Sequence, residues 1–378
     1  ASNEVIARFV VPGQPRWLAL HPDGGTLYVA NGRGEGVVTV VGTGHTTLPD
    51  GEAGEQGVLD VIPLPITNRD ADNGFFELTP RVTGDMAVDP TGETLVVPAL
   101  YVDNHSQEDV QPSQDPTFQY YMNPEPGIGR FNAAVVQIPI VRDGGLTPEA
   151  ATPIFVASFA QSDFGTSTMR SYPNAVTVSP DGEYYAVSME ASDAVVMVGR
   201  LGYNSGVTSS SWIRPSPEVD PVQHGFANHP HAAIQTTAGP RGVLFVDKGD
   251  RPEAWVHGFL GLNVQPLDAR SGMELVRNRG MQGLDDIESS VARFSESIEV
   301  TESVLPPDVR AGRRLFYQAN DPALVASGSG VSCSTCHYDG RDDGLTWQLG
   351  PAVRQTPSLA GRVSDTHPVT WTNDIVSV

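Results

Sequence analysis

Hydrophobic and polar residues alternate on both sides of a short polar break in Pro15-Arg16-Trp17-Leu18-Ala19-Leu20-His21-Pro22-Asp23-Gly24-Gly25-Thr26-Leu27-Tyr28-Val29-Ala30-Asn31. A period of two on either flank of an Asp-Gly pair predicts two antiparallel strands joined by a tight turn, since successive strand side chains point to opposite faces. The unit returns as Met86-Ala87-Val88-Asp89-Pro90-Thr91-Gly92-Glu93-Thr94-Leu95-Val96-Val97. It returns again as Pro173-Asn174-Ala175-Val176-Thr177-Val178-Ser179-Pro180-Asp181-Gly182-Glu183-Tyr184-Tyr185-Ala186-Val187, and in worn form from Gly239-Pro240-Arg241-Gly242 through Val243-Leu244-Phe245-Val246. Residues 103–130, rich in Asn, Gln, Pro and Asp, break the pattern and read as a long inserted loop.

Hairpins that recur with a following strand pair predict a β-propeller, whose plain blades repeat about every 40–45 residues. The turns at Gly24, Gly92, Gly182 and Gly249 are spaced more widely than that, which predicts blades worn or enlarged by insertion. Leu27-Tyr28-Val29-Ala30-Asn31 and the Asp-Gly turns resemble the YVTN family of β-propellers over roughly residues 5–300. The resemblance implies a mainly β, multi-bladed propeller, with seven blades favoured, and implies no particular activity, because propellers host many. The pattern changes at Val304-Leu305-Pro306-Pro307, which divides a propeller (1–303) from a small α-helical, cytochrome c-like domain (304–378). Asp308–Tyr317 has helical spacing, started by Pro307 or Asp308, with Val309, Leu315 and Phe316 available to one face.

Composition narrows the function. A net charge of -22 excludes nucleic acid as a natural ligand and suits cationic partners such as basic electron carriers. The same charge also serves solubility alone. No stretch approaches the roughly 18 consecutive apolar residues of a membrane span. The start Ala1-Ser2-Asn3-Glu4 reads as the end left when a secretory leader is cleaved, so a periplasmic or extracellular location is expected.

Only 2 cysteines occur, and they lie in Cys333-Ser334-Thr335-Cys336-His337. This is the attachment pattern of haem c: thiols at i and i+3 reach the two vinyl groups, and the adjacent imidazole supplies the proximal ligand to iron. A dithiol redox pair does not need His337, and a four-ligand zinc site lacks its second cysteine pair. From Gly312 onward the chain resembles the di-haem cytochrome c peroxidase superfamily, in Gly312-Arg313-Arg314-Leu315-Phe316, Val331–His337, Arg354-Gln355-Thr356-Pro357-Ser358-Leu359, and Trp371 with Asp374. That resemblance implies a helix beside the haem, and it places Trp371 near a path between two haems. One haem c is expected in this chain; a second is what the resemblance implies for a chain that continues as the family does. Trp371–Val378 reads as the middle of a motif, so the cytochrome unit is expected to be truncated.

Two departures shape the functional expectation. The family's distal His has no counterpart in Gly344-Leu345-Thr346-Trp347-Gln348, and no Met follows Met281 to serve as sixth ligand. His367 is the remaining candidate, against the plainer reading of a surface His before Pro368. Phe316, Tyr338, Trp347, Arg354 and Trp371 are expected in the haem environment. Arg341 and Arg354 either pair with propionates or are solvated. His224, His229 and His231 form either a second metal or haem-facing cluster or a polar inter-blade loop, while His257 reads as structural. Asp103, Glu108 and Asp109 read as loop solvation. The expected function is electron transfer by an extracytoplasmic c-type haem protein with a redox partner, the propeller serving as scaffold or docking surface. The alternatives are a peroxidase-like oxidoreductase and a propeller that binds a ligand or partner.

Overall fold

The computed structural model describes residues 5, 7–45, 54–71, 74–103, 131–141, 143–156, 172–200, 231–246, 253–269, 296–319, 331–349 and 352–361. It is mainly β. The first sheet is a meander of β1 (Pro15–Leu20), β2 (Thr26–Asn31), β3 (Val37–Thr43) and β4 (Gln56–Pro63). The second holds β5 (Thr67–Ala71), β6 (Gly74–Val82), β7 (Ala87–Val88), β8 (Thr94–Asp103), β9 (Phe131–Pro139) and β10 (Thr152–Phe155), in the order β10-β9-β8-β6-β5 with β7 also on β8. The third runs β11 (Pro173–Val178), β12 (Tyr184–Met189), β13 (Ala194–Gly199), β14 (His231–Gln235). The fourth runs β15 (Pro240–Val246), β16 (Glu253–Gly258), β17 (Asn263–Asp268), β18 (Ile298–Glu299).

The repeated turn forms as the pattern predicts. Gly24, Gly92 and Gly182 take φ of 78°, 77° and 75°, the left-handed region that a Cβ disfavours. Each donates its N–H to the carbonyl three residues back, on His21, Asp89 and Ser179. An Asp side chain then accepts from the backbone beyond the turn, as in Gly25 N–H to Asp23 Oδ1 (2.7 Å) and Glu93 N–H to Asp89 Oδ1 (2.7 Å). Gly249 lies outside the described residues.

Seven blades were favoured by the sequence; the described residues form four sheets of this kind. The extra length between turns falls largely inside sheets. Residues 104–130 separate the paired neighbours β8 and β9, 201–230 separate β13 and β14, and 270–295 separate β17 and β18. Asp103 itself pairs with Leu78 as the last residue of β8, so the insertion begins after it.

Sheets pack face to face in chain order. Buried residues of the first three form one core, and Tyr184, Ala186, Met197, Phe245, Val256 and Leu267 join the third to the fourth. Where second and third meet, backbone approaches backbone: Asp85 N–H donates to Asn174 O (2.8 Å) and Val176 N–H to Asp85 O (3.0 Å). Gly84 permits this, since a Cβ there would lie 1.6 Å from Asn174 O.

After residue 303 the described residues comprise α1 (Pro307–Tyr317), α2 (Cys333–Cys336) and a hairpin of β19 (Thr346–Leu349) and β20 (Ala352–Gln355). They do not form a separate helical core. Ala319, Tyr338 and Trp347 belong to the core of the sheets. On α1 the buried side chain is Tyr317, while Val309 and Leu315 are exposed and Phe316 is half-buried against Tyr317. Helical spacing therefore identified the helix but not the residue that docks it, which is aromatic and reaches Phe259 edge-on at 5.2 Å.

Candidate functional site: a thiol pair and imidazole over the sheets

One helical turn carries Cys333 and Cys336, and its other residues anchor it. Ser332, Ser334 and Thr335 are buried. Ser332 N–H donates to Thr335 Oγ1 (3.0 Å), Thr335 N–H donates to Ser332 O (3.0 Å), and the Ser332 and Ser334 hydroxyls pair at 2.8 Å. Arg81, buried on β6, donates from Nη1 to Thr335 O (2.9 Å). With its polar side inward, the turn leaves Cys333 exposed and Cys336 half-buried, both as free thiols. Burial pushes the Cys336 thiol up to about 12, against the opposing pull of Arg81. A reactive dithiol requires the reverse, a thiolate favoured at neutral pH.

His337 follows the turn, its N–H held by Cys333 O at 2.9 Å. Desolvation lowers its imidazole below the ordinary 6.5, although the Pro357 carbonyl and the Asp343 carboxylate both act upward. Its Nδ1 is buried and makes no hydrogen bond among the described residues. A neutral ring of this kind is the form that binds iron. The two free thiols on one turn, Cys333 exposed and Cys336 half-buried, and the adjacent neutral imidazole fit haem c, and no group of three or more His, Cys, Asp or Glu among the described residues offers a closed zinc site.

Two of the segments quoted above, Val331–His337 and Arg354–Leu359, come together here. The Trp347 indole donates to Asp343 Oδ2 (2.9 Å) and Thr356 Oγ1 (3.0 Å), which ties the hairpin to the segment that holds Pro357. Leu359 N–H donates to Gly340 O (2.8 Å). Arg354 pairs with Trp347 across the hairpin, and Arg341 is exposed. Tyr338 is buried, stacked on Tyr172 at 5.4 Å. His231 opens β14 opposite Val198, with only its backbone described. His224, His229, His367 and Trp371 lie outside the described residues.

The residues that seat this segment do not stand out in the sequence. In β1, β11 and β15 the register shifts at the second residue of the strand, and these bulged positions are Arg16, Asn174 and Arg241. A bulge re-aims its side chain, and all three point one way. Arg16 Nη2 meets Asp339 Oδ2 at 2.7 Å and its guanidinium lies 4.3 Å from the Tyr338 ring centre. Asn174 donates to Tyr338 Oη at 3.3 Å, and Arg241 reaches Asp339 Oδ1 at 3.3 Å. Arg241 also makes two bonds of 2.9 Å to the carboxylate of buried Glu190. A faint signal was present: Pro15-Arg16, Pro173-Asn174 and Pro240-Arg241 share one position relative to the turns at Gly24, Gly182 and Gly249. Each sheet thus gives one polar side chain to the segment 335–339 or to the network around it.

No helix among the described residues is long and apolar enough to cross a membrane. No protein-family model matches the chain, and no curated protein sequence does. Solved structures similar to it include the Kuenenia stuttgartiensis hydrazine synthase, at 14% identity over 70% of this chain and 86% of that one, with a TM-score of 0.34. The Pseudomonas aeruginosa periplasmic gluconolactonase is 17% identical over 76% of this chain and 70% of that one, with a TM-score of 0.33. AztD of Citrobacter koseri is 11% identical over 75% and 73%, with a TM-score of 0.26. At these identities and TM-scores the likenesses assign the chain neither a family nor a function.

Proposed function

We propose that Cys333 and Cys336 bind one haem c covalently, that His337 is its proximal ligand, and that the protein transfers electrons outside the cytoplasm. The observation that carries this is the neutral imidazole with a buried, unpaired Nδ1 directly after two free thiols on one turn. When bound, the haem supplies a one-electron couple whose potential depends on axial ligand and burial. The chain's own residues then act as a mount. Thr335, held by Arg81, fixes the turn; Trp347, Asp343 and Thr356 fix the strand pair that brings Pro357 to the ring. A rigid mount keeps reorganisation small, which suits electron transfer.

We read the four sheets as blades of a propeller that is scaffold and docking surface. The charge of -22 supports a basic redox partner and an electron exchange that weakens with salt. Peroxide cleavage calls for side chains that take and return a proton, and Gly344–Gln348 supplies none. The test is the visible spectrum of oxidised and reduced protein. Low-spin, six-coordinate haem that does not bind cyanide supports electron transfer; high-spin haem with rapid peroxide turnover overturns it.

A further inference from the structure

Among the described residues the buried charged side chains are Arg81, Asp89, Glu190 and Asp343. Asp89 pairs with Arg200 at a hairpin turn, and Glu190 pairs with Arg241. Arg81 and Asp343 remain, and they flank the turn of Cys333 and Cys336. Arg81 Nη1 donates to Thr335 O at 2.9 Å and lies 3.8 Å from Asp343 Oδ2. Asp343 accepts from Leu345 N–H (3.0 Å) and from the Trp347 indole (2.9 Å), whose second acceptor, Thr356, precedes Pro357. Each of these partners is a donor, the pattern of an ionised carboxylate that only accepts. A fixed negative charge therefore sits between the backbone of the turn and the segment that reaches His337.

Stability does not call for these charges. A buried ion pair stabilises no more than well-packed apolar residues do, and a neutral amide would accept from the same two N–H groups. What the charges add is a field, which burial leaves weakly screened. That field is lopsided along the motif. Asp343 favours the protonated form of His337, whereas at Cys336 the opposing influence of Arg81 is the larger. The carboxylate lies toward the imidazole and the guanidinium toward the Cys336 thiol.

We propose that Asp343 and Arg81 set the reduction potential of the haem, the carboxylate favouring the ferric form and the guanidinium the ferrous form. This rests on the haem reading above and concerns charge rather than anchorage.

The test is spectroelectrochemical titration of the haem-loaded full chain. Asp343→Asn keeps an acceptor and Arg81→Gln keeps an amide donor, while each loses its charge. At a fixed poise the ratio of ferrous to ferric haem rises about tenfold in Asp343→Asn and falls about tenfold in Arg81→Gln. Each change corresponds to about 59 mV, and neither fades in high salt. Trp347→Phe, which loosens the hairpin but keeps both charges, shifts the ratio less than either. Should a single variant, with one charge stranded, lose its native circular dichroism, the uncharged double variant is measured instead. It still gains ferrous haem, because Asp343 is the nearer charge to His337. A wild-type chain without covalent haem overturns the haem reading and this proposal with it. Covalent haem with shifts of one sign or of none, a Trp347→Phe shift as large as theirs, or a double variant that gains no ferrous haem overturns this proposal alone.

Discussion

Replacing Arg241 by Met isolates the electrostatics beneath the candidate site, because the stem of the side chain is kept while the guanidinium is lost. Glu190, its partner, has a side chain only 1% exposed and receives two 2.9 Å bonds from Arg241 besides the one from Asn174. Removing one partner of a buried ion pair leaves the other charge uncompensated and costs about 3–5 kcal/mol. With a urea slope of about 3 kcal/mol per M, the midpoint falls by roughly 1–1.7 M. The loss also has a pH signature. Burial already raises Glu190 above its ordinary 4.5, even with Arg241 lowering it. The folded state then binds the extra proton between the ordinary value and the raised one, so stability falls as pH rises through that window. Without Arg241 the window extends upward, and the variant's deficit is greatest at neutral pH and shrinks toward about pH 5. Adding Glu190→Gln, which keeps an acceptor for Asn174, recovers most of the deficit. Urea unfolding of the two single variants and the double variant at both pH values checks this. A deficit below about 1 kcal/mol, or one equal at both pH values and unmoved by Glu190→Gln, refutes the reasoning.

Trp347→Phe removes the donor shared by buried Asp343 and Thr356 and costs about 1–3 kcal/mol; the thermal midpoint falls, and proteolysis near the hairpin checks that the loss is local. Gly84→Ala forces a Cβ onto the Asn174 carbonyl and costs about 3 kcal/mol by separating the second and third sheets, measured as a lower urea midpoint. Cys333→Ala leaves a single thioether link at Cys336, and peptide mapping finds the haem on that residue alone. Hydrogen peroxide turnover stays well below the order of 10 per second common for enzymes, as followed by peroxide loss.

The hairpins were legible because alternation and the Asp-Gly turn are local: Gly24, Gly92 and Gly182 adopt the conformation their neighbours demand. The Cys333–His337 motif stood out for the same reason, its residues being consecutive; that it holds haem is the proposal. The placement of the long insertions was not legible, since residues 104–130 and 201–230 each fall between hydrogen-bonded strands of one sheet. Nor was the seat of the motif. Arg16, Asn174 and Arg241 act together only after three bulges turn them toward residues 338 and 339, a juxtaposition that their shared place in the repeat only hints at. Tyr317 was hidden likewise, since its partners Phe259 and Asp339 come from distant segments.

The most direct test of the central claim is the intact mass and metal content of the full chain after secretion from a host that attaches haem c, measured once the protein is denatured and acid-extracted. The expected result is the chain mass plus one haem, one iron per chain, and Cys333 and Cys336 both unreactive to alkylation. A bare chain mass with two alkylated thiols, or zinc in place of iron, would contradict it.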